Sequence, residues 1–258
     1  MFRLDKKVAI VTGGASGIGL EISRKFALQG AVVHIFELNM DLAEREADLI
    51  IANGGQAYFH KVDVSKQSEV KNIIAKIEKD GPIDILVNNA GIAHIGNIEN
   101  TSVDDMDRLY SVNIKGVYNC VQSVIPGMKQ KKSGVIINMC SVAASVGLKD
   151  RFAYSTTKGA VLSMTYQLAK DYIEYGIRCN SISPARVHTP FVDGFLKKTY
   201  PEQQEEMFQK LSRTQPIGRM AKPQEIGAMA VYLASDEAAF VTGTDFPIDG
   251  GFVRLNTP

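Results

Sequence analysis

The chain has 258 residues, 45% of them hydrophobic and 22% charged, with a formal net charge of +1. That is enough for one large domain with a sizeable core, and its charge is too balanced for a nucleic-acid or anionic-membrane surface. No apolar run reaches the roughly 18 residues of a membrane helix, no secretory apolar segment is expected, and the three cysteines, Cys120, Cys140 and Cys179, lack metal or redox spacing, so they read as buried thiols of a reducing, cytoplasmic compartment.

Residues 8–12 form a short buried strand. Gly13, Gly17 and Gly19 follow in a G-x-x-x-G-x-G turn before a helical pattern over 20–29. A glycine-rich strand–helix turn lets backbone N–H groups approach a pyrophosphate at the helix N-terminus. Gly13, Ser16, Gly17, Ile18 and Gly19 are therefore candidate cofactor contacts, although the spacing differs from the commoner G-x-G-x-x-G. Residues 31–37 form a second strand that ends in an acid. Glu37 lies 18 positions after Gly19, close to the ~20-residue spacing at which an acid receives the adenine ribose hydroxyls. A carboxylate there repels a 2′-phosphate. Gly14, Ala15, Ser16, Leu38 and Asn39 supply no cation to neutralise one, which points to NAD rather than NADP.

A helix over 41–52 closes on Asn53-Gly54-Gly55. A strand over 57–62 ends at Asp63-Val64, where Asp63 either bonds the adenine amino group or caps the junction, and a helix follows over 66–79. The fourth strand, 84–87, closes on Asn88-Asn89-Ala90-Gly91. This alternation implies an α/β fold: one Rossmann-type, doubly wound parallel sheet of about seven strands, helices on both faces, ligands at the carboxyl ends of the strands, and a single domain over 1–258. A long helix over 103–128 carries Asn113 at its middle. Asn is a mediocre helix former, and Asn113 reads either as a buried amide bonding nearby backbone or as support for a water in a proton path.

The richest stretch runs from 134 to 158. Residues 134–137 are strand, Ser141 follows the strand end, and a helix over 154–173 carries Tyr154 and Lys158. A spacing of four makes those two neighbours on one helix face. A free phenol, with pKa near ~10, is a poor proton carrier at neutral pH; a cation held close stabilises the phenolate. A serine hydroxyl beside it holds a carbonyl or alkoxide oxygen. Together they would protonate or deprotonate that oxygen while a hydride moves elsewhere. A sixth strand over 177–183 ends in Pro184-Ala185-Arg186-Val187-His188-Thr189-Pro190. About residues 189–215 form a charged, proline-bounded lid with one or two short helices. A helix over 223–234 and a last strand and turn within 243–251 complete the chain.

In this order, Thr12-Gly13-x-x-x-Gly17-x-Gly19, Asp63, Asn88-Asn89-Ala90-Gly91, Asn113, Ser141, Tyr154-x-x-x-Lys158, the Pro184 to Thr189 loop and Asp249-Gly250-Gly251 resemble the short-chain dehydrogenase/reductase family over nearly the whole chain. The resemblance implies a nicotinamide cofactor and a homotetramer. It implies Tyr154 as general acid/base, Lys158 as its helper and a nicotinamide-ribose ligand, Ser141 on the substrate oxygen, and Asn113 completing the relay. It also places Asp63, Val64, Asn89, Ala90, Gly91, Pro184, Val187 and Thr189 against the cofactor. One departure stands out: the loop reads Pro184-Ala185-Arg186 where the family usually has Pro-Gly, and alanine excludes some glycine-only angles.

Arg151, three residues before Tyr154, and Arg186, in the loop after the sixth strand, suit bidentate binding of a carboxylate. His94, His188, Gln215 and Lys197 or Lys198 are further polar candidates for the substrate, and none of the four histidines has metal-ligand spacing. The stretches around Tyr154 and Arg186 resemble the sugar-acid branch, the 2-keto-3-deoxy-L-fuconate and L-fucose dehydrogenases; the basic pocket is also similar to that of 3-hydroxybutyrate dehydrogenases. The reading is an NAD-dependent oxidoreductase of a small hydroxy acid. A 3-ketoacyl thioester reductase, with an acidic carrier protein and usually NADPH, fits Glu37 and the near-zero charge less well. A cofactor-sensing protein without catalysis fits poorly with an intact tyrosine and lysine.

Overall fold

A computed structural model describes residues 1–255. Its strands are β1 Val8–Thr12, β2 Val32–Glu37, β3 Gln56–Lys61, β4 Ile85–Asn88, β5 Gly134–Met139, β6 Ile177–Pro184 and β7 Asp245–Ile248. They form one parallel sheet in the order β3-β2-β1-β4-β5-β6-β7. The order reverses direction between β1 and β4, which opens a crevice at the carboxyl ends of those strands.

Side chains alternate across each strand, so one strand feeds two cores. Ala9, Val11, Ile85 and Val87 face α1 (Gly17–Leu28) and α2 (Met40–Ala52). Ile10, Leu86 and Ile136 face the opposite layer, which contains α3 (Gln67–Ile77). α1 begins at Gly17 rather than Leu20, so Gly17 and Gly19 occupy its first turn instead of the loop before it.

The helix expected over 103–128 is interrupted. It consists of α4 (Val103–Leu109), a π-helical segment over Tyr110–Lys115 and α5 (Gly116–Lys131). A π segment carries an extra residue per turn and recurs at functional sites; here it carries Asn113. Beyond it come α6 (Phe152–Tyr172), two lid helices α7 (Pro190–Thr199) and α8 (Gln204–Arg213), and α9 (Pro223–Ala234). α5 and α6 complete the layer with α3, and α9 packs beside α1. Among the described residues no helix is long and apolar enough to cross a membrane.

At the β2–β3 edge, His34 Nδ1 and His60 Nε2 are 2.9 Å apart, with rings stacked at 5.2 Å. One imidazole must donate and the other accept, so the bond needs at least one neutral ring and is lost when both are protonated. Burial first, then the charge of His60, lowers His34 from its ordinary 6.5 to about 4, against a smaller opposing effect of Asp80. Burial, then Lys76, also lowers His60. The folded state thus binds fewer protons than the unfolded chain below pH ~6.5. Stability is complete above that pH and falls as pH drops towards about 4, on the order of 3 kcal/mol for His34. The urea midpoint should fall between pH 7 and 4, and by less in a His34→Phe, His60→Phe double variant. Identical falls in the two proteins would show that the pair plays no part.

Candidate active site

Every candidate catalytic residue reaches one cleft of roughly 670 Å³ at the carboxyl ends of the strands, except Asn113, which stands just behind it. Ser141 lies two residues beyond β5 and begins a short 3-10 turn over Val142–Ala144; its Oγ accepts from the N–H of Ala143 at 3.2 Å. Its O–H has no acceptor among the described residues and is available to a ligand oxygen. Tyr154 and Lys158 sit one turn apart on α6. The buried Lys158 Nζ donates to the Met139 carbonyl at 2.7 Å and stands 5.8 Å from the Tyr154 ring centre. The strand that delivers Ser141 thus also anchors the ammonium beside the phenol.

Asn113 is 1% exposed. Its Nδ2 donates to the Ile92 carbonyl (2.9 Å) and to Thr157 Oγ1 (3.0 Å), and its Oδ1 accepts from Ile92 N–H (2.9 Å). The carboxamide therefore clamps the segment after β4 to α6. A side chain at Gly91 would stand 3.3 Å from Asn113 Oδ1 and 3.6 Å from Lys158 Nζ, so the glycine lets these groups share one space.

The cofactor-facing half is built around α1. Gly13 and Gly17 have φ of +60° and +51°. Leu20 N–H is bonded to Ser16 O at 3.1 Å, which leaves the N–H groups of Gly17, Ile18 and Gly19 ahead of it at the helix start. Ser16 is exposed at the mouth, and Thr189, at the base of α7, lies 3.4 Å from where a methyl group at Gly17 would stand. Thr12, named only as part of the motif, ties the loop together: its Oγ1 accepts from the N–H groups of Asn89 and Ala90, both at 3.0 Å. Asn89 Nδ2 donates to the carbonyls of Thr12 (3.0 Å) and Gly13 (3.2 Å). Asn89 thus shapes the turn with its side chain.

Glu37 ends β2 with one carboxylate oxygen on the N–H of Leu38 at 2.8 Å and no cation paired to it among the described residues. Asp63 takes the capping alternative with Oδ1, which accepts from the Ser65 N–H (3.0 Å) and hydroxyl (2.7 Å). Glu69 reaches back to the N–H of Asp63 at 3.0 Å, a contact with no sequence signal. Val64 buries its side chain, and its carbonyl accepts from Asn119 Nδ2 at 2.8 Å; only its N–H is left to meet a ligand. Pro184, Val187 and Thr189 line the far wall. These features fit a dinucleotide: free N–H groups at a helix start, an unpaired acid at the end of β2, and an open cleft up to Tyr154.

On the substrate side, Arg151 and Arg186 both line the cleft, and neither forms an ion pair among the described residues. Burial, then the charge of Arg151, holds the Arg186 guanidinium below its usual value. Three expectations need correction, those for His94, His188 and Lys197 or Lys198. His94 turns away, its Nδ1 3.5 Å from Asp105 Oδ1, because α4 presents that carboxylate behind the loop. His188 points to the lid, 2.7 Å from Asp193 and edge-on to Phe208. Gln215 lines the cleft as expected; its Nε2 also donates to Thr214 Oγ1 (2.8 Å), and its Oε1 accepts from the N–H of Arg186 (3.5 Å). Lys197 and Lys198 are exposed on α7, outside the cleft. Sequence reading also missed the apolar side chains that the lid contributes, Phe191, Val192, Phe195 and Leu211.

Residues 13–253 match the family model described as enoyl-(acyl carrier protein) reductase. The chain is a short-chain dehydrogenase/reductase. It is 38% identical to the oxidoreductase UcpA of Escherichia coli strain K12 over 253 residues, 97% of this chain and 96% of that protein. It is 36% identical to 2-(S)-hydroxypropyl-CoM dehydrogenase 3 of Xanthobacter autotrophicus over 256 residues, 98% of this chain and 99% of that one. The structure of a gluconate 5-dehydrogenase from Burkholderia cenocepacia, in complex with NADP and tartrate, superposes with a TM-score of 0.90 at 33% identity, covering 99% of this chain and 98% of that one. This short-chain dehydrogenase/reductase accommodates Ala185 without strain: residue 185 does not adopt a left-handed φ, and its N–H donates to the Ile248 carbonyl at 3.2 Å.

Proposed function

We propose that this oxidoreductase is an NAD-dependent dehydrogenase that interconverts a secondary alcohol and a ketone on a small, carboxylate-bearing substrate such as a 2-keto-3-deoxy sugar acid. The observation that carries the reading is the pair of guanidiniums, Arg151 and Arg186, open to the same cleft as Ser141 and Tyr154 with no carboxylate of the protein between them. Two cations held together in a half-buried site are costly unless an anion joins them. A similar protein, the gluconate 5-dehydrogenase, has been solved in complex with NADP and tartrate, a small hydroxy acid.

The nicotinamide, when bound, supplies the hydride acceptor. The chain supplies the rest. The hydroxyl of Ser141 donates to the reacting oxygen, and Tyr154 Oη takes its proton in oxidation and returns it in reduction. Lys158, held by the Met139 carbonyl, keeps positive charge beside the phenolate. Asn113 holds the segment after β4 in register with α6. Glu37 receives the adenine ribose, and its negative charge favours NAD over NADP.

The test is NADH formation by the purified protein on 2-keto-3-deoxy-L-fuconate and on neutral L-fucose, repeated with NADP. Turnover should favour the acid and NAD, and Arg151→Met should lower kcat/KM for the acid about ten- to a hundredfold. Preference for the neutral sugar would return both arginines to structural roles. Activity with NADP alone would remove the role given to Glu37 and favour the thioester-reductase alternative.

The same reading makes the protein a cytoplasmic homotetramer. Burial pushes the thiols of Cys120 and Cys140 up to about 12, as expected for inert cysteines. Val103, Tyr110, Tyr118, Phe152 and Tyr166 are exposed apolar or aromatic side chains on the α4–α6 layer, suited to cover by another copy. Light scattering should give four chains of 28.2 kDa; a monomer at micromolar concentration would contradict it.

A further inference from the structure

Resting on the carboxylate reading above, we infer that Thr214 and Gln215 are the positioning residues of the anion site: they aim Arg186 at the substrate and make its orientation depend on the seating of the lid.

Arg186 is fixed on three sides. Its carbonyl accepts from the N–H of Ala221 at 2.9 Å, its own N–H meets Gln215 Oε1 at 3.5 Å, and its Nε donates to Thr214 Oγ1 at 3.0 Å. Thr214 Oγ1 also accepts from Gln215 Nε2 at 2.8 Å and donates to the Leu211 carbonyl at 2.6 Å. A hydroxyl offers one donor and two acceptor positions, so this one is fully used, and its acceptor directions are set by where its proton must go. Gln215 is 3% exposed, and its amide has no freedom to rotate without losing both bonds. The two terminal nitrogens of Arg186 have no partner among the described residues. A guanidinium tied at Nε and free at both ends presents its fork to a carboxylate.

The tie opposes a force. The positive charge of Arg151 repels that of Arg186, and without Thr214 the guanidinium loses the bond that fixes its Nε. The anchor stands at the C-terminal end of α8, and Leu211, whose carbonyl accepts its hydrogen bond, lines the cleft from that helix. Movement of α8 away from the cleft would therefore release Arg186.

The experiment measures tartrate binding by calorimetry to the purified full-length protein with NAD present, and compares parent, Arg186→Met, Thr214→Val and Thr214→Ser. Thr214→Val keeps the shape and loses the hydroxyl; Thr214→Ser keeps the hydroxyl. Arg186→Met should weaken binding at least tenfold, Thr214→Val about five- to tenfold, and Thr214→Ser less than twofold. A merely structural role would lower the melting temperature without this rescue pattern. Weakened binding in Arg186→Met with parental binding in Thr214→Val would overturn the positioning role and leave the carboxylate reading intact. Parental binding in Arg186→Met would overturn both.

Discussion

Replacing Tyr154 with phenylalanine should lower turnover by about 10²–10⁴-fold, the usual contribution of a general acid or base, and leave NAD binding within about threefold of the parent. The substitution removes one oxygen and keeps the ring, so the packing of α6 stays as it is. Lys158 is held from the strand side by the Met139 carbonyl rather than by the phenol, so its ammonium stays in place when the hydroxyl goes. The N–H groups at the start of α1 and the acid at the end of β2 lie at the other end of the cleft. Chemistry and cofactor binding are therefore separable in this variant. Single-turnover measurement of NADH formation reports the first, and quenching of protein fluorescence on NAD addition reports the second. Turnover within tenfold of the parent would remove Tyr154 as the proton carrier, and lost NAD binding would mean that the ring itself holds the cofactor.

The fold was legible wherever local pattern decides it. Short apolar runs such as Ile85–Val87, set between predicted helices, suit strands covered on both faces, and the strand–helix alternation leaves one handed way to connect them. Ser141, Tyr154 and Lys158 were legible together because they sit at short offsets on one strand end and the helix that follows, whereas Asn113 comes from a separate helical segment. What escaped the sequence is contact between distant segments. Nothing in residues 103–128 announces a π segment, and the bonds that hold Asn113 within it reach distant residues, Ile92 and Thr157. His94 follows a cofactor motif and so reads as a pocket residue, yet α4 brings Asp105 to it from behind. Gln215 reads as a lid residue facing the cleft, and the fold also ties it to Arg186, 29 positions earlier. In each case a polar side chain found a protein partner that only the tertiary structure supplies.

The same distinction makes Gly19 the strongest test of the cofactor half. Sequence spacing marks it as one of three turn glycines; the structure shows that it is the one without room. A methyl group at Gly19 would lie 2.1 Å from the Gly13 carbonyl oxygen and 2.5 Å from Asn89 Nδ2, far inside van der Waals contact. Relief cannot come from a flexible side chain. The Gly13 carbonyl is backbone and accepts from Asn89, while Asn89 also holds the Thr12 carbonyl. Gly19→Ala must therefore push the glycine loop off the start of α1, and the N–H groups of Gly17 and Ile18 move with it. Overpacking of this kind costs roughly 1–3 kcal/mol of stability, which a domain of this size survives. Loss of the aligned N–H groups should weaken NAD at least a hundredfold. Gly147→Ala is the control: residue 147 has no atom within 4 Å of an added methyl group and no left-handed φ, so its stability should stay within about 0.5 kcal/mol of the parent. Circular dichroism and a thermal melt show that Gly19→Ala is folded, and the same fluorescence titration reads its affinity. A folded Gly19→Ala protein that binds NAD within threefold of the parent would mean that the loop gives way without moving the helix start, and that the pyrophosphate is held elsewhere.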